Sequence, residues 1–507
     1  MRTLPACLLL SAAVIPPVLA QAPVLERGGG ALPGISTWTV TAAPGSIYAV
    51  VVSLQETPTE ILPGVELAIG TDLLPVTLQF PGFLGVLPGS GSATASLPIN
   101  NPSLAGTQLS AQALVGPLFD TPSNLVRTTL AQPGTFAETV NPPAAPILGG
   151  AIASLGDGDL LLVGGSGPLA QRYSDELESF ELAGVTFGVG LLAQSTGLAD
   201  GRVLFTGGLD LTGQPTADAA VFDPATGLTT EIPMGTPRAG HQATLLDDGR
   251  VFVTGGFENV TVDLTGALAD PLALLDVFQS LLGSTEFFDP VTLEFSSGPS
   301  MLEPRALHTA TALPGGSVLV AGGLSLIPFL NIPTVSQTAA TFSPLLGTFG
   351  LPILFSGPRL AHTAALLSDG SVILVGGLTL DLTDFLTSGD PAQLAVGARD
   401  DIERFTSGFF GGSFSTAGQL SEARALAGVV ALDGGRALIA GGFRATISGT
   451  TLDVGSSASA DVYTIGQGVT PTGNMASERV QPLLAELADD TVLVVGGGPL
   501  EAEIYQP

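Results

Sequence analysis

Residues 238–256 read Arg238-Ala239-Gly240-His241-Gln242-Ala243-Thr244-Leu245-Leu246-Asp247-Asp248-Gly249-Arg250-Val251-Phe252-Val253-Thr254-Gly255-Gly256. Two apolar runs flank an Asp-Gly dipeptide, and the second run ends in two glycines. Asp-Gly between apolar runs signals a β-hairpin, and both turn residues are expected at positive φ. Glycines closing a strand suit a place where backbone packs closely and no Cβ fits. The run with its glycine pair occurs seven times: Leu160–Gly165, Val203–Gly208, Val251–Gly256, Val318–Gly323, Val372–Gly377, Ala437–Gly442 and Val492–Gly497. Successive pairs lie 43, 48, 67, 54, 65 and 55 residues apart. The shortest of these periods fits one four-stranded unit of a repeating all-β fold. The longer ones then contain insertions.

The same grammar surrounds each pair. Turns precede it at Asp200-Gly201, Asp248-Gly249, Gly315-Gly316, Asp369-Gly370 and Gly434-Gly435. A third strand with an aromatic follows, as in Ala220-Val221-Phe222-Asp223-Pro224 and Glu286-Phe287-Phe288-Asp289-Pro290. A weaker fourth strand leads to the next unit. The last third strand, near Glu503-Ile504-Tyr505, has no fourth strand after it. Open sheet edges invite aggregation, so a circular fold needs a strand from elsewhere to complete that unit. Gly134–Val140 has the alternation to supply it, paired with Ala502–Tyr505.

Three units begin with Arg238-x-x-His241, Arg305-x-x-His308 and Arg359-x-x-His362, each followed by a hairpin and a glycine pair. In these residues the chain resembles the kelch-repeat family over roughly residues 135–507. The resemblance implies a seven-bladed β-propeller, a fold shared with the central domain of galactose oxidase. The family's usual fourth-strand tryptophan is missing, and Phe295 or Phe349 stands in its place. The first two units lack the Arg-x-x-His opening.

Residues 22–130 lack this grammar. Strand-like runs at Ser36–Val40, Ile47–Leu54, Val65–Ile69, Ser92–Leu97 and Gln108–Val115, cut by Pro-Gly and Asn-Pro turns, predict a small β-sandwich-like N-terminal domain. The one tryptophan, Trp38, reads as core. Met1–Ala20 has an apolar run from Leu4 and small residues before a break after Ala20, which predicts a secretory signal peptide and an exported protein. The one cysteine, Cys7, falls inside it. The mature protein is then expected to hold no disulfide, thiolate metal site or thiol nucleophile.

The formal charge is −30, from 45 acidic residues and 15 arginines. A field of that sign repels phosphate backbones and anionic membranes. No later stretch holds 18 uninterrupted apolar residues, so no membrane insertion is expected. Gly-Gly pairs that end strands without a following helix are not a dinucleotide fingerprint.

The three histidines, His241, His308 and His362, share one repeat position, so a ring spreads them apart instead of converging them on a metal. Arg238, Arg305 and Arg359 read as inter-strand donors. Copper radical oxidases share the kelch fold, but their cofactor uses a cysteine cross-linked to tyrosine together with histidine ligands. A mature chain without cysteine or a spare histidine is not expected to support it. No catalytic residue, binding residue, metal site or cofactor is assigned. The extra residues fall at about Phe257–Ser284, Leu324–Gln337, Leu378–Asp400 and Phe443–Ser459, all after a second strand, and so on one face. Asp270 and Pro271 predict a helix start, as do Asp390 and Pro391. The expectation is an exported, non-enzymatic scaffold that presents this face to a protein or glycan. The alternative is a carbohydrate-active hydrolase or lyase using paired carboxylates.

Overall fold

The computed structural model describes residues 22–139, 141–147, 149–155, 158–164, 169–185, 190–210, 212–259, 271–388, 395–408, 411–448 and 451–507. The expected signal peptide with Cys7, Val140, Gly165, Asp270 and the Asp390-Pro391 pair lie outside them. The structure is nearly all β. The chain forms two compact units. One takes the described residues up to Gly28, Ser36–Leu97 and Leu109–Val126; the other takes Gly29–Ile35, Pro98–Gln108 and the chain from Arg127.

The smaller unit is built on a three-stranded sheet of Val24–Gly28, Gly34–Thr41 and Ser92–Ile99, and a four-stranded sheet containing Ile47–Ser53 and Gln108–Val115. Trp38 is fully buried and packs against Phe83 at 6.0 Å between ring centres.

Among the described residues, seven antiparallel sheets of the larger unit have a second strand leading to a glycine pair; they are sheets I to VII in chain order of those pairs. Each second strand is a short, continuous apolar run buried on both faces, as in Val251–Thr254 of sheet III, which is why it shows no alternation. The first strands are Ala151–Ser154, Gln194–Gly197, Gln242–Leu245, Thr309–Ala312, Thr363–Leu366, Gly428–Leu432 and Leu483–Glu486. Each touches the next, and the seventh touches the first, so the seven close into a ring. Apolar clusters fill the space between neighbouring sheets, as where Phe252 stacks on Phe342 at 4.3 Å.

Sheet VII is completed from the N-terminal side. Thr135–Glu138 pairs antiparallel with Glu503–Gln506, Thr135 opposite Gln506 and Phe136 opposite Tyr505. Asp175 of sheet I adds a second tie, accepting the Ala488 N–H at 3.0 Å.

The Asp-Gly turns differ from expectation. Gly249 is left-handed (φ 86°), but Asp248 is not. Gly249 N–H bonds the Leu246 carbonyl and Leu246 N–H bonds that of Arg250, a type I turn with a left-handed glycine bulge. The Asp248 carboxylate accepts the Arg250 N–H, which holds Asp248 out of the left-handed region. At Gly315-Gly316 and Gly434-Gly435 both residues are left-handed, as the first reading required.

Candidate functional site

Two residues after each opening arginine the backbone turns left-handed. The equivalent positions are Gly149, Leu192, Gly240, Leu307, Ala361, Leu426 and Gln481, all with φ between 49° and 64°. From sheet to sheet these residues hydrogen-bond one another. Gly240 N–H donates to Leu192, Leu307 to Gly240, Ala361 to Leu307, Leu426 to Ala361 and Gln481 to Leu426, at 2.8–3.1 Å. A left-handed leucine costs about 1–2 kcal/mol. One net backbone bond returns about 1 kcal/mol, and an unpaired buried N–H would cost more than that. The strained conformation persists because the bonds around the axis require it.

The collar residues line an axial cavity of about 350 Å³. Its lining includes Gln194, Gln242, Thr309, Thr311 and Thr363 from the first strands and, among the described residues, no Asp, Glu, Arg or Tyr. Such a lining offers neutral donors and acceptors but no charged acid–base pair.

The histidines border this cavity but are wedged between sheets. His241 Nε2 lies 2.8 Å from Thr206 Oγ1, His308 Nε2 2.9 Å from Thr254 Oγ1, and His362 Nε2 3.0 Å from Thr309 Oγ1. In all three rings Nδ1 is buried without a partner. A bare lone pair is cheaper to bury than an unpaired N–H, so the proton belongs on Nε2. Burial, then the neighbouring Arg238 or Arg305, pushes His241 and His308 down to about 3. His362 is likewise held well below the usual range, by burial first and then Arg359.

Sequence reasoning named three repeat arginines, and the structure adds Arg424 and Arg479. All five are buried. Each Nη1 donates to the carbonyl of the first glycine of its sheet's pair, always 17 residues on: Gly255, Gly322, Gly376, Gly441 and Gly496. Each also meets a carboxylate: Glu286, Glu303, Asp401, Asp461 and Glu503, at 2.7–2.9 Å. Asp401 is the most heavily engaged. Burial raises its pKa, but Arg399 and Arg359 outweigh this and bring it to about 2. These acids neutralise structural arginines.

The insertions form a second layer. Helix Pro271–Gln279 packs on the hairpin Leu324–Ile327/Ile332–Val335. That hairpin touches Leu378–Asp381/Ala395–Ala398, which in turn touches Phe443–Ser448/Thr451–Ser456. Phe278, Leu324, Val335, Leu360 and Leu382 bury a shared core beneath them, with collar residues Leu307 and Leu426 packed against it. The expected helix is present over Pro271–Gln279, shorter than a helix running through Leu282. The described helix in the third insertion is Thr383–Ser388, a stretch not foreseen as helical. The fourth-strand aromatics Phe295 and Phe349 pack on Phe288 and Phe342, at 5.0 and 5.2 Å. Phe414 does the same against Phe405 in sheet V.

The sequence matches no protein-family model and no curated protein. Many solved structures are similar in fold. One is a fungal alcohol oxidase of the AA5 family in complex with copper: TM-score 0.51, 15% identity, covering 73% of this chain and 75% of that one. Another is YjhT: TM-score 0.48, 18% identity, 65% of this chain and 99% of that one. The oxidase likeness supports a galactose-oxidase-like β-propeller fold. Its copper is that protein's own. In this chain a copper centre does not fit: no three His, Cys, Asp or Glu converge among the described residues. Each histidine Nε2 already faces a threonine, and no tyrosine borders the axial cavity.

Proposed function

We propose that this chain is an exported, non-enzymatic scaffold: a seven-bladed kelch-type β-propeller after a small β-sandwich, presenting its insertion face to a protein or glycan. The observation that carries this reading is the continuity of the insertions. Helix and three hairpins touch in sequence, and the helix and the first two hairpins share one apolar core, so the face is a built layer on a rigid ring, the usual setting for recognition loops. The hairpin tip adds Phe329 and Leu330, 93% and 65% exposed. The reading also rests on the axial cavity, whose lining carries no carboxylate among the described residues. Paired acids are what a glycosidase needs.

The test is ligand capture by the full chain on a glycan array and in pull-downs with defined proteins. It is repeated after the four insertions are replaced by short turns. Binding should vanish while the melting temperature falls by only a few degrees. Ligand retained by the trimmed chain, or glycan turnover by the full chain, would overturn the proposal.

A further inference from the structure

The outer rim of the ring is divided by charge. The outermost strands of four consecutive sheets each carry an exposed glutamate: Glu138 in VII, Glu181 in I, Glu231 in II and Glu294 in III. Those of the other three carry no charge at all. They are Thr348–Phe349 with Ile353–Leu354 in IV, Ser413–Gln419 in V and Gly468–Pro471 in VI. The three are neighbours: Ile353–Leu354 touches Ser413–Gln419, which touches Gly468–Pro471. The chain has no Asp, Glu, Lys or Arg anywhere between Ala306 and Pro358. Sheet IV also exposes Leu345, Leu346, Leu351 and Leu354, between 66% and 93%.

We infer that this neutral rim is where two copies of the chain associate. A second copy also carries −30. At the rims of sheets VII, I, II and III it would set glutamate against glutamate, and like charges brought together are costly. Among the outer strands of the seven sheets, those of sheets IV to VI let two such molecules meet without that penalty. Its leucines supply apolar surface at one end, and the small and hydroxyl side chains of Ser413–Gln419 and Gly468–Pro471 extend the area. A two-fold contact uses one patch twice, so self-complementarity is what a neutral, apolar patch offers. Sheet IV is suited to side-chain packing and not to strand addition. Its edge is two short strands broken by Gly350, Leu351 and Pro352, which blunts backbone pairing.

Sedimentation equilibrium of the full chain across micromolar concentrations tests this. A monomer–dimer equilibrium is expected. Raising salt from about 0.02 M to about 0.3 M should tighten it, because screening relieves long-range repulsion while the contact itself is uncharged. Leu351→Glu, at the exposed break between the two outer strands of sheet IV, and Thr416→Glu, at an exposed site on the outer strand of sheet V, should each weaken dimerisation on the order of tenfold or more. Thr230→Glu, on the outer strand of sheet II, should leave it unchanged. Thermal melts of all three confirm folding. A monomer at every concentration, or a dimer indifferent to Leu351→Glu and Thr416→Glu, would refute the inference. Binding of neutral phosphatidylcholine vesicles by a monomeric chain, lost in Leu351→Glu, would refute it by assigning the rim to lipid.

Discussion

Arg424 and Asp461 meet 2.8 Å apart with neither side chain exposed to solvent. The pair belongs to a rule that runs round the ring. Asp461 in sheet VI, Glu286 in III and Glu503 in VII face the same position of their second strands, two residues before the glycine pair. Where the arginine is absent the acid is absent too. Sheet I has Ile147 at the arginine position and Gln171 at the acid position; sheet II has Gly190 and Ala220. Gln171 still accepts a backbone N–H, from Ala144 at 2.6 Å, as Glu286 does from Gly235 and Glu503 from Ala476. The polar bond is retained and the charge is dropped. Sheet IV has Ala340 at that position, and Glu303 approaches Arg305 from another direction.

Removing one partner of such a pair strands the other. Arg424→Met should cost about 3–5 kcal/mol, measured as a shift in the urea midpoint at constant slope. Arg424 also serves the carbonyls of Gly441 and Ser459. The double variant Arg424→Met, Asp461→Leu should therefore recover part of the loss but not all of it. A double variant as unstable as the sum of the singles would mean that the pair is not coupled.

The ring was legible because its signals are local. Turn chemistry, apolar runs and glycine pairs each act within a few residues, and the seven copies placed themselves. The missing strand of sheet VII was legible for a different reason: an unfinished edge has to be covered, and Thr135–Glu138 covers it in register. The Arg-x-x-His pattern misses Arg424 and Arg479 because the histidine three residues on is replaced by Ala427 and Pro482, although Met475–Arg479 does resemble the entry Met301–Arg305. Counting 17 residues back from each glycine pair would have found them. Their carboxylates could not be read in the same way, because Glu303 and Asp401 reach their arginines from positions unlike that of Glu286. The insertion hairpins were read as loops, since their alternation, as in Leu324-Ser325-Leu326, spans only a few residues. The axial collar leaves no sequence signal, because Gly, Leu, Ala and Gln all occupy it.

The histidines set a pH limit. Their folded pKa values lie below the unfolded value near 6.5, so the unfolded chain binds protons that the native chain refuses. Stability is therefore complete above about pH 6.5 and is lost as pH falls toward 3. With three sites the slope approaches about 4 kcal/mol per pH unit once the unfolded histidines are charged. The groups beside them, Arg238, Arg305 and Arg359, stay cationic throughout this range, and Asp401 titrates only near 2. Urea midpoints measured from pH 7 to pH 4.5 should show this slope, and His308→Asn should reduce it by about a third. A flat profile over that range would contradict buried neutral histidines.

Two glycines separate close packing from backbone strain. Gly227 and Gly255 are both left-handed, at φ 69° and 60°. A Cβ on Gly227 would meet nothing within 4 Å, whereas one on Gly255 would lie 2.2 Å from the Arg305 carbonyl oxygen and 2.9 Å from the His308 ring. Gly227→Ala should therefore cost only the conformational term, about 1 kcal/mol. Gly255→Ala adds overpacking between two sheets and should cost about 3 kcal/mol or more. It should also disturb His308, whose ring packs against that backbone, so its imidazole resonances should shift while those of His362 stay in place. Equal losses in chemical denaturation would show that the glycine pairs serve backbone conformation alone, and that close approach between sheets is not what fixes them.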